Sequence, residues 1–96
     1  MPRIAITDPA QNDLEDIYSH YAPLVGESEA EVIVIRILEQ LEHLETFVGM
    51  GRPSLKPGVR EVVITRYPFI APYRLEHDEI QILRVVHQRA QYAKDW

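Results

Sequence analysis

Residues 59–87 read VREVVITRYPFIAPYRLEHDEIQILRVVH, and this stretch decides the fold. It divides into three segments, Val59–Thr65, Phe69–Glu76 and Glu79–Val86, all rich in Val, Ile, Tyr or Phe. Residues of these types favour a pleated, half-buried surface, so the segments predict strands. The breaks at Arg66–Pro68 and His77–Asp78 leave room only for chain reversals. Three strands joined in this way predict an antiparallel meander. Pro72 lies inside the second segment and has no N–H for a ladder, which predicts an edge position or a bulge there.

Toward the N-terminus, Gly49, Gly51, Pro53, Pro57 and Gly58 punctuate a loop. Before it, Ala30, Ile33, Val34, Ile37, Leu38, Leu41 and Leu44 recur at helical spacing, and Ser28 with Glu31 fits a capping box. This predicts a helix running to about Phe47. Pro23 and Gly26 separate it from an earlier stripe, Ala10, Leu14, Ile17, Tyr18 and Tyr21. That stripe predicts a helix over roughly 9–22, with Thr7 or Asp8 as N-cap and Pro9 in the first turn. A connection this short makes the two helices an antiparallel hairpin. Arg3-Ile4-Ala5-Ile6 alternates and predicts a first strand. The expected architecture is α+β, in the order β-α-α-β-β-β, with the helical hairpin packed on a small twisted antiparallel sheet. Leu14, Ile17, Ile37, Leu41 and Leu44 are the expected contacts with that sheet. The tail, Gln88–Trp96, predicts at most one helical turn with Tyr92 and Trp96 on one side.

A chain of 96 residues is expected to form a single domain, 1–96, and to bury roughly 60–65% of its unfolded surface. It contains no cysteine, which excludes disulfides, thiolate metal sites and thiol nucleophiles. The longest aliphatic run, Val32-Ile33-Val34-Ile35, is far short of a membrane span. Met1-Pro2-Arg3-Ile4 opens without an apolar signal region, so a cytoplasmic protein with no membrane partner is expected. The net charge of −5 is unevenly placed. Residues 1–48 set Arg3 and Arg36 against ten acids, a net of −8; residues 49–96 set eight bases against five acids, a net of +3. Overall acidity argues against direct nucleic-acid binding, which draws its affinity from bases neutralising phosphates.

His20, His43, His77 and His87 share no ligand spacing, so no metal is expected. No phosphate-cradling glycine loop is present, and Gly49-Met50-Gly51-Arg52 follows a helix rather than a strand; no cofactor is expected. What remains is a set of bases in the strand region: Arg60, Arg66, Arg74, Arg84 and Arg89, joined by Tyr67, Tyr73 and His87. Arginines on a sheet can hold phosphate or carboxylate groups bidentately. A His beside an Arg can also serve acid–base cleavage of RNA. The alternative is that these arginines pair with the acids of the helices.

Four pieces of sequence carry a resemblance. They are Ala10-x-x-Asp13-Leu14-x-x-Ile17-x-x-x-Tyr21, then Leu41-x-x-Leu44 followed by Gly51-Arg52-Pro53. Gly58-Val59-Arg60-Glu61 with Arg66-Tyr67-Pro68-Phe69-Ile70 and Tyr73-Arg74 is the third, and Ile82-Leu83-Arg84-Val85-x-His87-x-Arg89 the fourth. Together, and in this order, they resemble the RelE/ParE superfamily of bacterial toxins. The Arg-Glu, Tyr-Pro-Phe and Val-x-His pieces bring the chain nearer the ParE, or plasmid-stabilisation, branch. The resemblance implies the toxin of a type II toxin–antitoxin pair with a ParD-like or related antitoxin, acting on DNA gyrase by binding. Target contacts would then be Arg60, Arg74, His87 and Arg89. The RelE branch instead implies ribosome-dependent mRNA cleavage, with Arg74, His87 and Arg89 catalytic. Against that pattern, the exit loop carries Lys56 alone and Tyr92 follows Arg89 closely. A third reading is a non-toxic member of the fold that binds only its antitoxin.

Overall fold

The computed structural model describes residues 2–89. Strand β1 (Arg3–Ile6) leads into helices α1 (Asp8–Val25) and α2 (Glu27–Glu42), the second ending in a 3₁₀ turn at His43–Glu45. Then come β2 (Arg52–Pro53), β3 (Arg60–Val63), β4 (Phe69–Glu76), β5 (Glu79–Ile82) and β6 (Val86–His87). The sheet order is β1-β5-β4-β3-β2, with β6 also on β4. The meander β3-β4-β5 is antiparallel, and His77 and Asp78 turn β4 into β5 with both φ angles positive.

The sheet as a whole is mixed, because β1 pairs β5 in parallel, Ile4 beside Ile80 and Ile6 beside Ile82. Short turns dictate antiparallel pairing only between consecutive strands. The helical hairpin intervenes between β1 and the meander, so no turn sets the direction of β1. Its outer edge is closed by a side chain: the Ile4 N–H donates to Glu45 Oε2 at 2.9 Å.

The hairpin also departs from expectation at its ends. Pro23 lies inside α1 rather than terminating it. Proline has no N–H to give the Ser19 carbonyl, but the helix runs on for only two residues beyond it, and the Gly26 N–H still reaches Ala22 O at 2.9 Å. Gly26, at φ +95°, makes the whole connection and caps α2, so the expected Ser28–Glu31 capping box does not form. Thr7 is the N-cap of α1, accepting from the Ala10 N–H.

Leu14, Ile17, Ile37, Leu41 and Leu44 are all buried, in one cluster with Val62, Ile64, Phe69, Ala71, Tyr73, Ile80 and Ile82 of the strand region. Pro72 stands in the central strand, not at an edge. Between the Tyr73–Ile82 and Ile70–Val86 pairs, Ala71 and Pro72 face Leu83, Arg84 and Val85, a β-bulge with one extra residue. The Pro72 carbonyl accepts from the Leu83 N–H at 2.9 Å. Its missing N–H therefore faces the bulge, where no regular ladder is interrupted. Helix α1 collects backbone groups of this stretch. Thr7 Oγ1 donates to Ile82 O at 2.7 Å, and the Val85 N–H donates to Asp13 Oδ2 at 2.9 Å.

Candidate functional site

The residues expected to form one constellation are divided among three places. Arg60 belongs to the exit loop after α2. Its Nη2 donates to the carbonyls of Gly49, at 3.3 Å, and Gly51. Tyr73 works on the same loop: its hydroxyl donates to Val48 O at 2.7 Å and accepts from the Gly51 N–H at 3.1 Å. A Cβ on Gly51 would stand 2.6 Å from Tyr73 Oη and 2.7 Å from Glu61 O, so close approach requires glycine here. Glu61, 5% exposed, pairs with Arg52 Nε at 2.8 Å.

Arg74 lies on the face of β4 opposite Tyr73, as strand alternation requires. Its Nε contacts Gln81 Oε1 at 2.9 Å and Glu76 Oε2 at 3.0 Å, and 48% of the side chain is exposed. It lines a cleft of about 510 Å³ with Thr7, Lys56, Leu83 and Arg84. His87 lines a second cleft, of about 410 Å³, with Asp16, His20, Tyr21, Phe69 and Arg84. Its ring meets Phe69 edge-on, with centroids 6.0 Å apart, and its Nδ1 accepts from the Arg89 N–H at 3.1 Å. Arg89 is exposed beyond β6. Tyr92 and Trp96 lie outside the described residues.

Arg84, one of the strand-region bases but not among the expected target contacts, borders both clefts. Its Nε and Nη2 meet Asp13 Oδ2 and Oδ1 at 2.6 and 2.9 Å. With Val85 N–H on the same carboxylate, Asp13 fastens α1 to the bulge. The available signal was an acid on the apolar stripe of α1, three residues after Ala10 and four before Ile17. A buried-side carboxylate needs a partner from another element.

A third concavity, of about 420 Å³, runs between the helices. Leu14, Tyr18, Val34 and Leu38 line it, with Ile35 exposed and Glu15 and Glu31 also bordering it. Among the described residues, no three His, Asp or Glu side chains are grouped to hold a metal ion. No described helix is long and apolar enough to cross a membrane.

Residues 4–92 match the family described as the ParE toxin of the type II toxin–antitoxin system parDE. The chain belongs to the ParE toxin family. The chromosomal ParDE toxin–antitoxin system from P. aeruginosa contains a chain 43% identical, superposing with a TM-score of 0.85 over 91% of this chain and 96% of that one. The RelBE2 toxin–antitoxin complex from Mycobacterium tuberculosis gives a TM-score of 0.62 at 20% identity, over 91% and 92% of the chains, a likeness of fold alone. Y4kP of Sinorhizobium fredii, whose name describes it as a candidate toxin, is 35% identical over 62 residues. That match spans 65% of this chain and 64% of the relative's length. The two helices on an open mixed sheet are thus the architecture this ParE-family chain shares with the P. aeruginosa structure.

Proposed function

We propose that this ParE-family toxin acts by binding DNA gyrase through the basic strand half and is neutralised by an antitoxin segment docked on the helical hairpin. Arg74 is the observation that carries the binding reading. Gln81 and Glu76 fix its Nε, while 48% of the side chain is exposed. A guanidinium held in this way is preorganised to grip a carboxylate or phosphate of a target at little entropic cost. His87 and Arg89 extend the contact around Arg84. Arg60 contributes by holding the exit loop. The antitoxin reading is supported by the interhelical groove, whose apolar floor between Glu15 and Glu31 suits the apolar face of an amphipathic segment with basic flanks. The paired test is supercoiling by gyrase and mRNA cleavage on ribosomes with one protein preparation. Inhibited supercoiling without mRNA cuts supports the reading. Defined mRNA cuts without gyrase inhibition replace it with the ribonuclease reading. Silence in both assays, from folded protein, leaves a chain that binds only its antitoxin.

A further inference from the structure

The outer edge of β3 is closed partly by a strand and partly by a side chain. The Ile64 N–H donates to Phe69 O at 3.0 Å, so Ile64 turns its backbone polar groups toward β4. Alternation then turns those of Glu61, Val63 and Thr65 outward. Glu61 is paired by Arg52 of β2. There β2 stops, because Met50, which this register would set beside Val63, gives its N–H to Phe47 O at 3.0 Å instead. At Thr65 the carboxamide of Gln40 takes over: Nε2 donates to Thr65 O at 3.2 Å, and Oε1 accepts from the Thr65 N–H at 2.7 Å. Between these two closures, the outward N–H and C=O of Val63 have no hydrogen-bond partner among the described residues. They open into a cleft of about 550 Å³ lined by Gln40, His43, Met50, Arg52, Val63 and Thr65.

We propose that this edge is a strand-addition site for an extended segment of a partner polypeptide, laid end to end with β2, for which Gln40 is a removable stand-in. The stand-in reveals the chemistry of the occupant. A primary carboxamide offers one donor and one acceptor, as a peptide group does, and Gln40 makes the bonds that a neighbouring strand residue would make. A segment that displaces it gains two main-chain bonds at Thr65 and two more at Val63. Both Gln40 bonds are solvent-exposed, so their exchange for peptide bonds is nearly neutral, and the Val63 bonds are the net gain. Val63 and Met50, 41% and 45% exposed, give an aliphatic side chain of the segment something to cover. Arg66, exposed just beyond Thr65, favours an acidic residue at that end. This site is separate from the Arg74 face and from the interhelical groove, so it stands or falls independently of the gyrase reading.

The test is a titration of isotope-labelled protein with an acetylated, amidated peptide of alternating valine and threonine that ends in glutamate, followed by amide chemical shifts. The Val63 and Thr65 amides and the Gln40 side-chain NH₂ are expected to move together. Gln40→Ala removes the competitor and should tighten binding by about 5- to 10-fold, the worth of one or two exposed hydrogen bonds. Val63→Pro deletes the outward N–H without breaking the β4 ladder and should weaken binding by a similar factor. Gln40→Glu keeps the acceptor and loses the donor, so it should fall between wild type and Gln40→Ala; it provides a reading even if Val63→Pro fails to fold. Shifts confined to other regions, or an affinity unchanged in Gln40→Ala, would overturn the proposal. So would a concentration-dependent dimer in Gln40→Ala that excludes the peptide, since the edge would then belong to a second copy.

Discussion

Helix α1 and the exit loop after α2 are fastened to the same sheet by opposite means. At α1 the fastening is electrostatic: Asp13 accepts from Arg84 and from the Val85 N–H, half-buried, between two open clefts. At the exit loop it is steric and neutral: Gly51 lies against Tyr73, whose hydroxyl bridges Val48 and Gly51 in the interior. The first clamp uses one backbone N–H of the bulge, that of Val85, which a regular ladder would have consumed, together with the Arg84 guanidinium beside it. The second uses the absence of one methyl group. Irregular backbone next to an ion pair can present groups to a partner, whereas the close-packed clamp can only hold. The candidate contacts Arg74 and His87 accordingly flank the Asp13–Arg84 clamp, and Arg60 serves the other.

The largest expected effect is at the first clamp. Asp13→Ala leaves Arg84 half-buried without its carboxylate and the Val85 N–H without an acceptor. It should destabilise by about 2–4 kcal/mol, the low side of a buried pair because Arg84 is partly solvated. Urea unfolding measures this, and Asp13→Asn, which keeps an acceptor, should recover part of the loss. At the second clamp, Gly51→Ala forces a methyl against Tyr73 Oη and the Glu61 backbone and should cost about 1–3 kcal/mol by the same measurement. Tyr73→Phe removes the hydroxyl from Val48 and Gly51 and should cost about 1–2 kcal/mol. Combined with Gly51→Ala, it should cost less than the sum, because the shortest clash is with the deleted oxygen. Additive losses would show that the loop does not rest on the tyrosine.

The layers and the core of this fold were legible because they rest on periodicity. Leu14, Ile17, Ile37, Leu41 and Leu44 follow a helical stripe, and the three strands are bounded by turn residues. The parallel seating of β1 was not legible, since no short turn ties it to its neighbour. Pro72 correctly announced an irregularity, but a lone proline cannot say whether an edge or a bulge accommodates it. The extra residue that makes the bulge sits in Leu83–Val85, and it appears only in the register of two strands against β4. The site was less legible for the same reason. Arg74 could be assigned a face from alternation alone. The tie of Arg60 to the exit loop could not be foreseen, because it depends on which loop crosses β3. Asp13 and Arg84 each stood inside a quoted motif, yet their pairing joins residues 71 positions apart.

Arg74→Ala should have the smallest effect on stability, within about 0.5 kcal/mol, since its partners are exposed. It also gives the most direct test of the binding account. Measured against gyrase supercoiling, Arg74→Ala should raise the concentration needed for inhibition by about 5- to 100-fold, as for one lost charge-assisted contact, with its melting curve unchanged. The account is contradicted if the wild-type protein instead cuts mRNA in stalled ribosomes and Arg74→Ala or Arg89→Ala abolishes those cuts while ribosome binding survives.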